Sequence, residues 1–198
     1  MEWTKEAKDK RAELLRQFRD NIDSDDIKVK EKIKKQLLKN ELIIHVLNNK
    51  ELEEADAQPE DYYGINILPY YIIKPTQTNV QNFICIEVDY DEIDFANNCV
   101  KNLMIKFIVL CEQKNIIDED TSLARHDLMA ALLLDEFNFT NYFGAKIKCI
   151  SDVASVVDSS YSCRTLIFKQ ITDNNLVKTR NKIPMLANKE IHVWEIQK

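Results

Sequence analysis

Only two of the 198 residues are glycine, Gly64 and Gly144. Average usage of about 7% predicts roughly fourteen. A phosphate-binding P-loop needs a glycine-rich turn, and a dinucleotide-binding fingerprint needs three closely spaced glycines. Two isolated glycines supply neither. Collagen-like, glycine-linker and propeller architectures are excluded on the same ground. Gly64 falls where a tyrosine pair enters a proline-rich stretch. Gly144 falls where an apolar helix must give way to a strand, a C-cap position where positive φ is commonly needed.

The remaining composition is that of a globular chain, with 45% hydrophobic and 30% charged residues. One sizeable core can be buried at this length. The net charge of −6 argues against a main task of gripping nucleic acid, which needs a dense cationic face. No run of 18 apolar residues exists, so no membrane span or membrane partner is expected. The charged start MEWTKEAKDKRAELL lacks a signal-peptide core. The five cysteines at 85, 99, 111, 149 and 163 form no CxxC pair. They read as small core residues rather than zinc ligands.

Residues 1–58 read as a helical N-terminal extension. Thr4 can cap a first helix, with Ala7, Leu14, Phe18 and Ile22 on one stripe. The cluster Asp23-Ser24-Asp25-Asp26 can cap a second, with Val29, Ile33 and Leu37 on one face. Residues 26–40 carry six lysines against two acids, a local +4. They read either as a solvated face whose lysine stems cover apolar surface or as a patch for an acidic partner. A third helix spans 41–49, and 50–58 reads as a turn. Residues 59–80 hold Pro59, Pro69 and Pro75 with Tyr62, Tyr63, Tyr70 and Tyr71, an extended connector that packs on its own core or on a neighbour.

Strands follow. NFICIEVDY and KNLMIKFIVLC alternate with period two and suit an antiparallel pair. Residues 122–138 form the clearest helix, capped by Ser122 or Thr121 and apolar around most of its circumference, hence covered on more than one side. Strands at 145–151 and 163–172 come next, joined by a long hairpin-like connection. Residues 173–198 form a C-terminal arm with a short strand at 190–196. The fold class is α+β: a mostly antiparallel sheet with one buried helix on a face.

Glu87, Asp89, Asp91, Glu92 and Asp94 form the densest acidic stretch. Three carboxylates on one strand face can hold Mg²⁺, line a channel for DNA, or guard a strand edge. His126-Asp127 with Ser151, Ser155 or Ser162 lacks the sharp-turn nucleophile of hydrolases. Neighbouring residues on a helix point about 100° apart, away from a common acceptor. Asp127 suits the first turns of its helix, leaving Arg125 to reach outward. With Arg164 these are candidates for inter-subunit ion pairs. No catalytic residue, metal or cofactor is expected.

The segment GINILPYYIIKPTQTNVQNFICIEVD resembles part of the neck and tail-completion proteins of tailed bacteriophages, through Asn66-Ile67-Leu68-Pro69-Tyr70 and Pro75-Thr76-Gln77-Thr78. The second half resembles their tail-terminator arrangement: a helix opening with Arg125 and Asp127, a strand led by Gly144, and a final strand starting near Tyr161 with Arg164. The resemblance covers about residues 60–172. It implies a virion structural protein, not an enzyme, assembled in the host cytoplasm. Such proteins form rings, usually hexamers, that join the tail tube to head–tail connector proteins, and DNA meets them only as passing genome. Interface candidates are then Tyr62, Tyr63, Tyr70, Tyr71, Arg125, Asp127 and Arg164, with the acids of 87–94 facing the channel. The alternatives are a head-side stopper ring, a metal-dependent enzyme acting on nucleic acid, and an adaptor whose basic helix binds an acidic partner.

Overall fold

The computed structural model describes residues 5–21, 25–71, 82–91, 100–157 and 159–173. Four helices come first: α1 (Lys5–Asn21), α2 (Asp25–Lys39), α3 (Glu41–Leu47) and α4 (Lys50–Glu54). The strands are β1 (Ile67–Leu68), β2 (Phe83–Asp91), β3 (Val100–Glu112), β4 (Lys148–Val156) and β5 (Tyr161–Asp173), with α5 (Arg125–Phe137) between β3 and β4. They form one sheet of order β1-β2-β3-β5-β4. Every pairing is antiparallel except the short β1–β2 contact. The architecture is α+β, as the alternation of strands around one helix implied.

Period-two alternation sends Ile84, Ile86 and Val88 of β2 to the same side as Leu103, Ile105, Phe107 and Val109 of β3 and Leu166 and Phe168 of β5. On that side lies α5, burying Met129, Ala130, Leu133 and Phe137. The centre is aromatic: Phe107 stacks on Phe137 at 5.1 Å between centroids and meets Phe168 edge-on at 5.6 Å. Val29, Ile33 and Leu37 recur every fourth residue on α2, while Ile43, Val46 and Leu47 share one face of α3; all six join this core. The helices at 25–47 are therefore part of the body's core and not an arm beside it. Helix α3 packs along α5 and gives the apolar central helix its second cover. On α1, Leu14 and Leu15 are exposed. The Thr4 cap, Ile22 and the Asp23-Ser24 cap lie outside the described residues, as do the strand at 190–196 and the rest of the C-terminal arm.

Several local readings are corrected. Residues 50–54 are a helical turn, because the Asn49 side chain accepts from the Leu52 N–H and caps it. The connector is not extended throughout. Pro59 opens a tight helical turn to Tyr62, since its fixed φ and missing N–H suit a first helical position. Gly64, at φ 87°, then reverses the chain into β1. The 151–162 connection is mostly strand: β4 runs to Val156, and the turn closes between Val157 and Tyr161. Its small residues hid the pairing with the long apolar β5. Helix α5 ends at Asn138, six residues before Gly144. Gly144 serves instead the Asn141–Gly144 turn at φ 98°, where an added Cβ meets no atom within 4 Å, so the backbone conformation alone calls for glycine.

Three buried asparagines tie the layers together. Asn49 donates to the Asn66 side-chain oxygen at 2.7 Å, Asn66 to the Asn82 carbonyl at 2.9 Å, and Asn82 to the Leu47 carbonyl at 3.0 Å. The Asn82 side-chain oxygen also accepts from the Glu112 N–H at 3.3 Å. Among the described cysteines, 85, 111 and 163 are buried and none of the four is in a disulfide. Burial pushes the Cys111 thiol up to about 12.

Removing the middle of the asparagine chain, Asn66→Ala, orphans buried groups on both sides and should cost about 2–3 kcal/mol in urea unfolding. Phe137→Ala should cost about 3–5 kcal/mol. The exposed Phe139→Ala should stay within about 0.5 kcal/mol.

Candidate functional site

The described polar chemistry gathers around the N-terminal end of α5. A loop from Gln113 to Ala124 leads into the helix, and its side chains are committed to the turn. Asp118 accepts from the Thr121 hydroxyl at 2.7 Å and from the Thr121 N–H at 3.0 Å. Neither Thr121 nor Ser122 therefore caps α5. The cap position is Ala124, without a side-chain bond, and Ser122 takes φ 59°.

Arg125 does not reach outward. Its guanidinium pairs with Asp118 at 2.8 Å, and each side chain is only 4% exposed. A buried pair of this kind adds little over an apolar pair, but loss of one partner leaves an uncompensated charge. The Thr121 hydroxyl is the first cause holding the Asp118 carboxyl below its ordinary value of 3.8; burial opposes it, and the Thr121 N–H and Arg125 reinforce it. Asp118 was not foreseen from the sequence. Its signal is the Asp-x-x-Thr spacing, which lets a carboxylate close a turn on the third residue.

Arg164 and Asp127 do meet, within one chain. Register places Arg164 on the side of β5 that faces α5, and its guanidinium bonds Asp127 on the helix and Asp152 on β4. The Asp152 bonds are two-pronged, at 2.7 and 2.9 Å. Hydrogen bonds that Arg164 donates to Asp152 and Asp127 push its pKa up, against desolvation. The His126 ring, expected to point away from its neighbour, approaches Asp127 at 3.4 Å. Ser151 and Ser155 pair with Ile167 and Cys163, on the sheet face away from α5. Ser162 makes no hydrogen bond to His126 among the described residues. No nucleophile–base pair is assembled here.

The acidic stretch is broken up by the fold. Glu87 forms a cross-strand pair with Lys106 at 2.9 Å. Asp89 is exposed on the same outer face, opposite Met104. Asp91 ends β2, and Glu92 and Asp94 lie outside the described residues. Among the described residues, no three His, Cys, Asp or Glu side chains are placed to hold a metal ion.

Tyr62 is buried in the chain's own core, and burial raises its pKa and that of Tyr63. Lys34 lies over the Tyr63 ring at 4.1 Å, while Tyr70 and Tyr71 are exposed. Lysines of α2 act as struts: Lys30 donates to the Pro69 carbonyl at 2.8 Å and Lys32 to the Tyr142 carbonyl at 3.3 Å.

A folded carboxyl value below the unfolded one contributes stability above the unfolded value, lost as pH falls through the folded value. Stability supplied by Asp118 should therefore persist above about pH 4 and fade below it. Thr121→Val should raise the Asp118 titration midpoint, read by carboxyl-carbon NMR, and move acid unfolding to higher pH. Arg125→Ala should cost about 3–5 kcal/mol at neutral pH.

No curated protein matches this chain. No helix among the described residues is long and apolar enough to cross a membrane. A family model described as YomW matches residues 40–170, well over half of the chain and including the helical residues from Asn40 onward. The chain belongs to the YomW family, a phage-derived family.

Proposed function

We propose that the protein is a virion structural component of a tailed phage, a ring-forming subunit of the neck that joins tail tube to head. The observation that carries this reading is where the polar groups are spent. Arg164 ties α5 to β4 and β5, the asparagine chain ties the end of α3 to the sheet, the Asp118–Arg125 pair fixes α5 to its entry loop, and the lysines of α2 hold the connector and the loop at Tyr142. Among the described residues, what stays open is strand edge and the part of the outer sheet face beyond the buried cluster of Phe83, Cys85, Ile108 and Leu110, and Tyr70 and Tyr71 are exposed. A body braced within and open at its edges suits a building block. Membership of a phage-derived family supports it. Head-side stopper and tail-side terminator are two positions for the same kind of part.

The competing reading is a metal-dependent enzyme acting on nucleic acid through the 87–94 acids. It is weakened by Lys106, which already neutralises Glu87 where a metal would need an open carboxylate.

Light scattering on the eluting full-length protein, with negative-stain microscopy, should show rings, or a monomer that assembles when added to tails. A protein that stays monomeric and ignores purified tails overturns the proposal. Incubation with DNA and Mg²⁺ or Mn²⁺ should give no cleavage. Metal-dependent cleavage abolished by Asp89→Ala would establish the enzyme instead.

A further inference from the structure

Among the described residues, the sheet has an open edge on each side. On one side β4 presents its outer edge along Lys148–Val156. On the other, β1 covers β2 only at Ile84 and Cys85. Pro69 follows, has no N–H to donate, and begins a bend in the chain. Among the described residues, Ile86–Asp91 then have no strand on that side.

Exposed edges are ordinarily guarded by charge, proline or a bulge. Strand β4 has a bulge between Cys149 and Ser151, but from Ser151 to Val156 its pairing is regular. The single charge from Cys149 to Val156 is Asp152, and Arg164 holds both of its oxygens. Ile150, Val153 and Val156 are 55, 55 and 68% exposed. Apart from Lys148 at its start and the Arg164-bound Asp152, this edge carries no charge, and beyond the bulge its pairing is regular, the makeup of a strand that receives a partner.

The two edges complement each other in direction and charge. Strand β2 runs opposite to β3, β3 to β5 and β5 to β4, so β4 runs opposite to β2. A second copy set beside the first in the same orientation continues the antiparallel alternation. On the outer face one cross-strand row reads Asp89, Met104, Lys169, Lys148. Its ends carry opposite charges, and neither the Asp89 nor the Lys148 side chain has a hydrogen bond or ion pair among the described residues. A flush continuation of the row sets Lys148 of one copy beside Asp89 of the next.

We infer that the partner of this edge is a second copy of the chain: the Lys148 end of β4 pairs antiparallel with the Asp89 end of the next copy's β2. The contact is head-to-tail, so repetition closes a ring or extends a filament. It rests on the ring-forming reading above and gives that reading its surface. It also gives Asp89 a partner other than passing DNA.

The test is charge reversal followed by light scattering across a concentration series. Lys148→Glu and Asp89→Lys should each weaken association about tenfold or more, since like charges then face each other. Lys148→Ala and Asp89→Ala should weaken it less, in the same direction, and circular dichroism should show all four variants folded. An equimolar mixture of the two reversed proteins should recover the wild-type mass. In it the glutamate introduced at 148 meets the lysine introduced at 89, and the untouched ends meet each other. Single reversals that leave the mass unchanged overturn the edge contact while leaving the ring intact. A mixture that fails to recover overturns the head-to-tail pairing. A wild-type protein that is monomeric at every concentration and on tails overturns both the contact and the ring.

Discussion

The buried asparagine chain is the constraint on which the layered body rests. Asn49 caps α4, Asn66 precedes β1, and Asn82 precedes β2. Through them the end of the helical layer, the connector and both β2 and β3 share one set of hydrogen bonds. Each residue is at most 3% exposed, so water cannot replace a missing partner. Apolar contact alone would let α3 slide over the sheet, because burial has no direction. The amide bonds fix one position, and the aromatic centre around Phe107 and Phe137 then packs against a defined ceiling.

A similar logic operates at the other end of the helical layer. There α5 enters through the Asp118–Arg125 pair and is held to β4 and β5 by Arg164. The surface His45–Asp120 pair, at 3.0 Å, links α3 to the same loop. Exposed pairs of that kind contribute little individually. The buried pair fixes where the loop must turn, and with it the direction of α5.

Much of the fold was legible because burial leaves a period. The spacing of Val29, Ile33 and Leu37 marked a helix face, and the alternation in β2 and β3 marked their pairing. The apolar girth of Leu128–Leu134 implied two covers, which are the sheet and α3. The misreadings share one cause: local residue character was outweighed by a distant partner. The run Ser151–Val156 mixes Ser151, Asp152 and Ser155 with small apolar residues and passes for a loop until β5 pairs with it. Pro59 can begin a helical turn as readily as an extended stretch. With Asp127 assigned to the dipole end of the helix, Arg125 has no local partner and reads as reaching outward. Asp118, seven residues earlier, becomes its partner only once the loop folds back. The asparagines gave no signal, since a single polar residue carries no periodicity.

Strand order has a consequence for synthesis. The central strand β3 is flanked by β2, made just before it, and by β5, which begins at Tyr161. After Glu112 leaves the ribosome, everything from Gln113 to Ser160 must be added before that second neighbour exists. At roughly 5–20 residues per second, this is a delay on the order of several seconds. Meanwhile the hairpin of β2 and β3 exposes a long apolar flank suited to pairing with any other nascent strand. Helix α5 emerges within that interval and can shelter one face of the hairpin, but not its flank. A host cell making many copies at once would therefore lose material to misassembly most readily between these two points of translation. Slowing the ribosome there would lengthen the exposure rather than help the chain to fold.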